Sequence, residues 1–314
     1  MTIAARLDGV SKAFGRGDQR KVAVDSLSLT IPDSSIFGII GRNGAGKTTT
    51  LRMLTGILTP DSGDVHVLGG LDPTNCRHRI GYLPEEKGLY RKMRVSELAV
   101  YFGRLRGLPK ADARTRAGEL LTVFELDAVA RQRIDTLSKG MGQKLQLACT
   151  LIHDPDLLVL DEPFSGLDPV NIERLQQLIT ERREAGRCVV LSTHIMEQAE
   201  RLCDAVALID NGRLAIEGSI EAVTGADSQR LMATLSSAPP VIDANDRHRL
   251  GLLDVRQRGQ QLELRLAPST DPQTVIAWLN DTASIRDLAV GRRSLQDVFV
   301  DLTGADQRDQ RSGS

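Results

Sequence analysis

The stretch ending at Gly56, SSIFGIIGRNGAGKTTTLRMLTG, restricts what this chain can become more than any other part of it. An apolar run, Ile36 to Ile40, stops at Gly41, and GRNGAGKT follows at once, matching G-x-x-x-x-G-K-[ST] from Gly41 to Thr48. Each residue type has a physical reason. Glycines at 41, 44 and 46 let the backbone close around a phosphate with its N–H groups inward. A helix opening near Lys47 aims its positive end at the same point. Lys47 can reach the β- and γ-phosphates, and the Thr48 hydroxyl can take a Mg²⁺ position. A buried strand before the loop and an amphipathic LRMLTGIL after it supply the context such a loop needs. The pattern predicts a nucleoside triphosphate site.

Later segments supply partners for that loop. DTLSKGMGQKLQLACTLIHDP places Ser138 as the cap of a helix whose apolar face is Leu145, Leu147, Ala148, Leu151 and Ile152. LLVLDEP is a buried strand ending in Asp161 and Glu162, and RCVVLST is another ending at His194. In a parallel sheet the ligand crevice lies at the carboxyl ends of the strands, so these acids fall where phosphates would sit. SGLDP leads into a helix over about 169–185, and AVALIDNGRLAIEG reads as a hairpin over Asn211-Gly212. Upstream, residues 3–10 and 21–31 alternate as antiparallel strands, with Phe14 opening the loop between them. Taken alone, Phe14 reads as a core residue. RIGYLPEEKGLYRKMRVSELAVYFGRL gives a strand, a loop at Pro84–Tyr90 and a helix; a further helix at 109–125 starts at Pro109. Residues 96–132 are thus a helical insertion into an α/β core.

The bulk properties remove several classes of function. The 314 residues suffice for one large and one small domain, and a net charge of -1 gives no basic field for nucleic acid. Cys76, Cys149, Cys188 and Cys203 form no C-x-x-C pair and read as apolar fillers in a reducing compartment. No stretch approaches 18 apolar residues and the N-terminus lacks a signal-peptide core, so a cytosolic chain is expected. Any membrane part would come from another chain.

These residues resemble the ATP-binding subunits of ABC transporters over roughly residues 2–224. GRNGAGKTT is similar to the Walker A motif, LSKGM at 137–141 to the family signature, and LLVLDEP at 157–163 to Walker B. SGLDP at 165–169 resembles the D-loop, with Asp168 in it, and His194 the switch histidine. The resemblance implies a P-loop NTPase (RecA-like) α/β core with an antiparallel β subdomain and an α-helical subdomain at about 96–155. It also implies ATP and Mg²⁺ as cofactors. Gly41, Asn43, Gly44, Ala45, Gly46, Lys47, Thr48 and Thr49 would hold the phosphates, and Phe14, at the A-loop position, would stack on adenine. Thr48 and Asp161 would serve Mg²⁺, Glu162 would be the general base, and His194 would hold the γ-phosphate. Two chains would sandwich two ATP, with Ser138 and Gly140 of one reaching the γ-phosphate of the other. The expected partners are a second copy and a transmembrane permease, which would dock near Glu85–Arg106 on the cytoplasmic face; no nucleic acid is expected.

Two motifs depart from the family pattern. Lys139 and Met141 replace Gly and Gln of LSGGQ, and Glu85 stands where the Q-loop glutamine belongs. A carboxylate remains a hard oxygen ligand, so Glu85 is a candidate for Mg²⁺. Both changes resemble the sodium-exporter (NatA-type) and ABC-2 export branch, and so does the closing segment SLQDVFVDLTG. Within that resemblance the function is ATP hydrolysis that powers an exporter. The alternatives are a soluble ABC-type ATPase acting on DNA or ribosomes, and an ATP-sensing regulator. One P-loop, no sustained heptads and no net positive charge weigh against the first.

From about residue 225 to 304 the order strand, strand, strand, helix, strand predicts a small α+β accessory domain. SSAPPVIDANDR reads as loop, Trp278 as core or domain contact, and Arg292-Arg293 as a solvated pair. Residues 305–314 lack apolar anchors and are expected to be a disordered tail.

Overall fold

A computed structural model of the chain describes residues 2–86, 88–225 and 229–309. It divides into two compact units, residues 1–217 and 218–314. In the first, strands β1 (Ile3–Phe14), β2 (Lys21–Pro32) and β4 (Ser62–Val67) make an antiparallel sheet in the order β2-β1-β4. Strand β3 (Ile36–Ile40), whose five residues are all buried, starts the second sheet and runs into helix α1 (Lys47–Leu54). β5 (Ile80–Leu83), β6 (Leu157–Leu160), β7 (Cys188–Thr193), β8 (Ala205–Asp210) and β9 (Arg213–Ser219) complete it in the order β5-β6-β7-β3-β8-β9. The first five of these strands are parallel. Strands buried on both faces need unbroken apolar runs, and LLVL and CVVL supply them.

The main core lies between the two sheets. Leu7, Leu27, Leu29 and Ile31 from the antiparallel sheet meet Phe37, Ile39, Val159 and Val190 from the parallel one, with Leu51 and Leu54 of α1 among them. All four cysteines are buried and free in such apolar surroundings. β8 and β9 turn over Asn211 (φ 47°) and Gly212 (φ 80°), the two positive φ values that a two-residue hairpin turn demands.

The insertion is helical: α2 (Val95–Leu105), α3 (Lys110–Val123) and α4 (Lys139–Leu151) pack on one another. Helices α5 (Pro169–Glu184) and α6 (Met196–Leu202) flank β3 and β7. Phe14 is 44% exposed, so the core reading of that residue is wrong: it ends β1 on the surface, opposite Lys21.

His153 follows α4 and is held by Ile80 O at 3.2 Å from Nε2, while its Nδ1 is buried without a partner. Burial, and then the Arg106 charge, push its pKa down to about 4. In the unfolded chain the ring takes up its proton near 6.5. Between those values the unfolded state binds more protons, so folding stability drops as the pH falls from about 6.5 toward 4. His153→Gln is therefore expected to lose less melting temperature than the wild type between pH 7 and pH 4.5. Equal losses in thermal melts would contradict this.

The second unit contains α7 (Ile220–Thr224), β10 (Gln229–Leu235), α8 (Ala244–Arg249), β11 (Leu252–Arg258), β12 (Gln261–Leu266), α9 (Pro272–Thr282), β13 (Ile285–Arg292) and α10 (Leu295–Asp309). Its antiparallel sheet has the order β11-β12-β10-β13. Leu231, Ala233, Leu262 and Leu264 face Val275 and Leu279 of α9, with Trp278 packed half-buried at the edge. Arg230, Glu263 and Arg265 alternate onto the opposite face, where Arg230 pairs with Glu263 and with Asp297 of α10.

Four features differ from the sequence expectation. α7 packs against α10, so the boundary between the compact units falls at 217 and not near 224. α8 lies in the segment read as loop; Asp243 caps it by accepting from the Asp246 N–H at 2.8 Å. Arg293 is not a solvated residue: it donates to Asp301 at 2.5 Å with its side chain 20% exposed. α10 runs on to Asp309, because a helix nucleated by burying Leu295, Val298 and Phe299 gains one bond per added residue. Of the tail expected to be disordered, 305–309 are thus helical, and 310–314 lie outside the described residues.

Candidate nucleotide site

Parallel pairing brings the carboxyl ends of β5, β6, β7 and β3 side by side, and the polar residues gather there. The loop after β3 is shaped by close approach. A Cβ on Gly41 would lie 2.2 Å from Ile209 O, and one on Gly46, at φ 107°, 2.5 Å from Ala23 O. Gly44, at φ 82°, faces open space. Ala45 is buried; Arg42 and Asn43 are exposed at the tip. No side chain caps α1, so its first N–H groups stay open to an anion.

Lys47 is only 6% exposed. Its Nζ donates to Gly41 O at 3.0 Å and Arg42 O at 3.3 Å, and lies 3.3 Å from Glu162 Oε1. That last contact is an ion pair without hydrogen-bond alignment, since Glu162 Oε1 has no hydrogen-bond partner. The other Glu162 oxygen is 2.9 Å from His194 Nδ1. Glu162 is 9% exposed and sits at φ 47°, a left-handed conformation costing a non-glycine residue about 1 kcal/mol or more. Strain at a turn following a buried strand aims the carboxylate back toward Lys47.

Asp161 accepts at Oδ1 from Thr48 (3.1 Å) and Ser192 (2.7 Å), and Ser192 Oγ accepts in turn from the Glu162 N–H at 2.9 Å. Asp161 Oδ2 is buried without a hydrogen-bond partner. A buried carboxylate oxygen left free beside a hydroxyl suits a hard cation. Among the described residues, no three His, Cys, Asp or Glu side chains gather to hold an ion by themselves. Mg²⁺ here would depend on Thr48, Asp161 and oxygens of the nucleotide.

The other candidates lie at element ends. Thr49 is half-buried on α1. Ser138 caps α4 by accepting from the Met141 N–H at 3.2 Å; Gly140 has open space on its Cβ side. Asp168 caps α5, and the Asn171 N–H, then its side chain, hold the carboxyl below the usual range. Glu85 stands exposed on a bend after β5. The cluster proper is therefore Lys47, Thr48, Asp161, Glu162 and His194. Ser192 joins it, and sequence reading missed it. The sequence shows only a serine one residue before the end of β7; its full burial between Asp161 and the Glu162 N–H emerges with the structure. Gln143 and Gln146 were also missed; they reach from α4 to Pro163 O at 2.9 Å and Glu86 O at 3.3 Å.

Residues 24–165 match the family model described as ABC transporter. The chain is 35% identical over 299 residues to an uncharacterized ABC transporter ATP-binding protein, YhaQ, of Bacillus subtilis, covering 95% of this chain and 98% of that one. It is 36% identical over 313 residues to the Nod factor export ATP-binding protein I of Paraburkholderia xenovorans, covering 98% and 99%. Among solved structures, the ATP-binding subunit of an ABC transporter superposes with a TM-score of 0.64 at 29% identity, covering 71% of this chain and 92% of that one. The dimeric bacterial ABC transporter cassette MJ0796 gives 0.63 at 25% identity, covering 68% and 98%. The chain belongs to the family of ABC transporter ATP-binding proteins, ATP-hydrolysing cassettes built on the P-loop NTPase fold.

Proposed function

We propose that two copies of this chain close around two ATP molecules and drive a separate membrane-spanning permease that exports its cargo. The carrying observation is the buried group of Lys47, Asp161 and Glu162 at adjoining strand ends, with the exposed His194 bonded to Glu162 at its rim. Lys47 is held by two carbonyls and one carboxylate, all of which a phosphate can outcompete as partners of an ammonium. Its transfer to phosphate releases Glu162, whose other oxygen stays on His194, to accept a proton from the attacking water. Mg²⁺, held by Thr48 and Asp161, would offset the phosphate charge. The helix start at Ser138 supplies N–H groups to the γ-phosphate of the opposing copy. Export is supported by the relatives named for Nod factor export. Among the described residues no helix is long and apolar enough to cross a membrane, which leaves that task to another chain. A cavity of about 480 Å³ lined by Ile57, Arg77, Leu89, Phe102 and Arg106, beside the Pro84–Tyr90 segment, offers the permease a seat on the cytoplasmic side.

Sedimentation tests the sandwich. Glu162→Gln with ATP and Mg²⁺ is expected to run as a dimer and without nucleotide as a monomer; a monomer in both would overturn it. Phe14, exposed at the end of β1, stacks on the base in this reading. Phe14→Ala is expected to weaken ATP binding by about 5- to 50-fold, the loss of one aromatic stack. Calorimetric titration checks this, and unchanged affinity removes Phe14 from the site.

A further inference from the structure

The cavity beside the Pro84–Tyr90 segment is electrostatically one-sided. Arg77 and Arg106 are the charged side chains among its described lining residues, and none of those residues is acidic. The two arginines meet: Arg106 donates from Nη1 to the Arg77 carbonyl at 2.6 Å, and Arg77 donates from Nη2 to the Gly56 carbonyl. Each guanidinium thus spends a nitrogen on backbone, and among the described residues neither pairs with a carboxylate. Arginines close by behave differently, with Arg79 on Asp156 at 2.6 Å and Arg182 on Asp154. Arg106 is half-buried. Its burial, and then the Arg77 charge, lower its pKa, the direction set by desolvating one cation beside another. Arginine keeps its charge at any working pH all the same, so two like charges stand uncompensated. A desolvated charge without a counter-charge is costly, and chains keep such a conflict where a ligand offsets it. The surroundings suit a protein ligand. Ile57 in the cavity, and Tyr90 and Leu105 next in sequence to its lining residues Leu89 and Arg106, are large apolar side chains left exposed. Arginine set among exposed aromatic and aliphatic groups is the composition of an interface core.

We infer that the permease segment seated in this cavity carries an Asp or Glu carboxylate that Arg77 and Arg106 clamp between them, with apolar side chains beside it on Ile57, Leu89 and Phe102. This rests on the permease reading of the cavity and adds the chemistry of the contact. A carboxylate can accept charge-assisted bonds from both guanidinium groups and cancels their repulsion. A basic or wholly apolar segment would instead cover two uncompensated cations, so the pair also selects among partners. Because Arg77 holds the Gly56 carbonyl just past the end of α1, the clamp ties the partner to the helix that begins at Lys47.

The test uses the full chain in host membranes with ATP and Mg²⁺ present. Arg77→Gln/Arg106→Gln is expected to retain about tenfold less polytopic membrane protein on extraction than the wild type does. Arg106→Lys keeps the charge and supplies an amine. A water-soluble carbodiimide then joins that amine to a touching carboxylate with loss of water, and mass spectrometry of the linked peptides locates the acid. The expected product joins position 106 to an Asp or Glu of the polytopic protein. Reversing both charges, Arg106→Glu with Lys in place of that acid, is expected to recover most of the retention, which an arginine serving only the fold would not allow. Full retention by Arg77→Gln/Arg106→Gln overturns the inference. So does a link from position 106 that reaches phosphatidylserine, or no protein carboxylate at all. The cross-link decides even if the glutamine variant fails to fold. In each of these cases a wild type that still retains its permease leaves the transport reading standing; a wild type that retains no polytopic protein overturns both.

Discussion

Replacing Glu162 with Gln is expected to lower ATP turnover by about 1,000-fold, the size of a lost general base. ATP binding should persist within about threefold, since Lys47 and the open N–H groups of the loop, not Glu162, hold the phosphates. The substitution is nearly isosteric and takes away only the charge and the basic oxygen. Two contacts define what is lost: the ion pair with Lys47 at 3.3 Å and the bond to His194 at 2.9 Å. The strained φ of 47° at this residue stays the same in both proteins. Steady-state turnover and nucleotide titration on the same preparation separate the two effects. Retained turnover would remove Glu162 as the base, and lost binding would show that the carboxylate serves mainly to order the loop.

Lys47→Ala is expected to weaken ATP binding by about 10- to 100-fold, as one charge-assisted bond to phosphate contributes about 1.5–3 kcal/mol. Turnover should fall below detection. Two physical losses combine. The phosphates lose a positive partner in a site where little water can replace it, and Glu162 is left 9% exposed without its counter-charge. The second loss predicts a distinct signature: the variant should melt lower than the wild type without nucleotide, and the double variant Lys47→Ala/Glu162→Gln should recover part of that drop. Additive destabilisation in the double variant would show that the ion pair contributes nothing to the resting protein. Unchanged turnover in Lys47→Ala would sink the phosphate-loop assignment.

The site was readable in the sequence to the extent that its chemistry sits in contiguous segments. GRNGAGKT announces itself because the turn, the close backbone approaches at Gly41 and Gly46, and the helix start all need particular residues within eight positions. Asp161 and Glu162 were legible because two acids end an apolar strand, where a structural role is hard to find. The Asn211-Gly212 turn was legible for the same local reason: both positions need positive φ. What stayed hidden depends on residues distant in sequence. Ser192 looks like any strand serine until the parallel pairing of β6 and β7 sets its hydroxyl between Asp161 and the Glu162 N–H. Phe14 went the other way, apolar by type and exposed in place. In the second unit, α8 was masked by the prolines before it, while its cap, Asp243, is one acidic residue among several. Arg293 and Asp301, eight positions apart, meet only because α10 folds back over the end of β13.

The solved cassettes cover 68–71% of this chain, whereas the full-length relatives cover 95–98% of it. Residues 218–314 therefore belong with the transporter subunits as they occur in whole chains, as a sheet with a leucine-rich face under α9 and an arginine–carboxylate face under α10.

The most direct test of the central claim, that this chain powers a membrane permease, uses the trapped Glu162→Gln protein. It would be tagged, extracted from host membranes with ATP and Mg²⁺ present, and its partners identified by mass spectrometry with their stoichiometry. The account predicts a polytopic membrane protein in fixed ratio to the cassette, retained in Glu162→Gln and lost on disrupting the Leu89–Phe102–Arg106 cavity. A membrane-free sample carrying ribosomal proteins or DNA would contradict it.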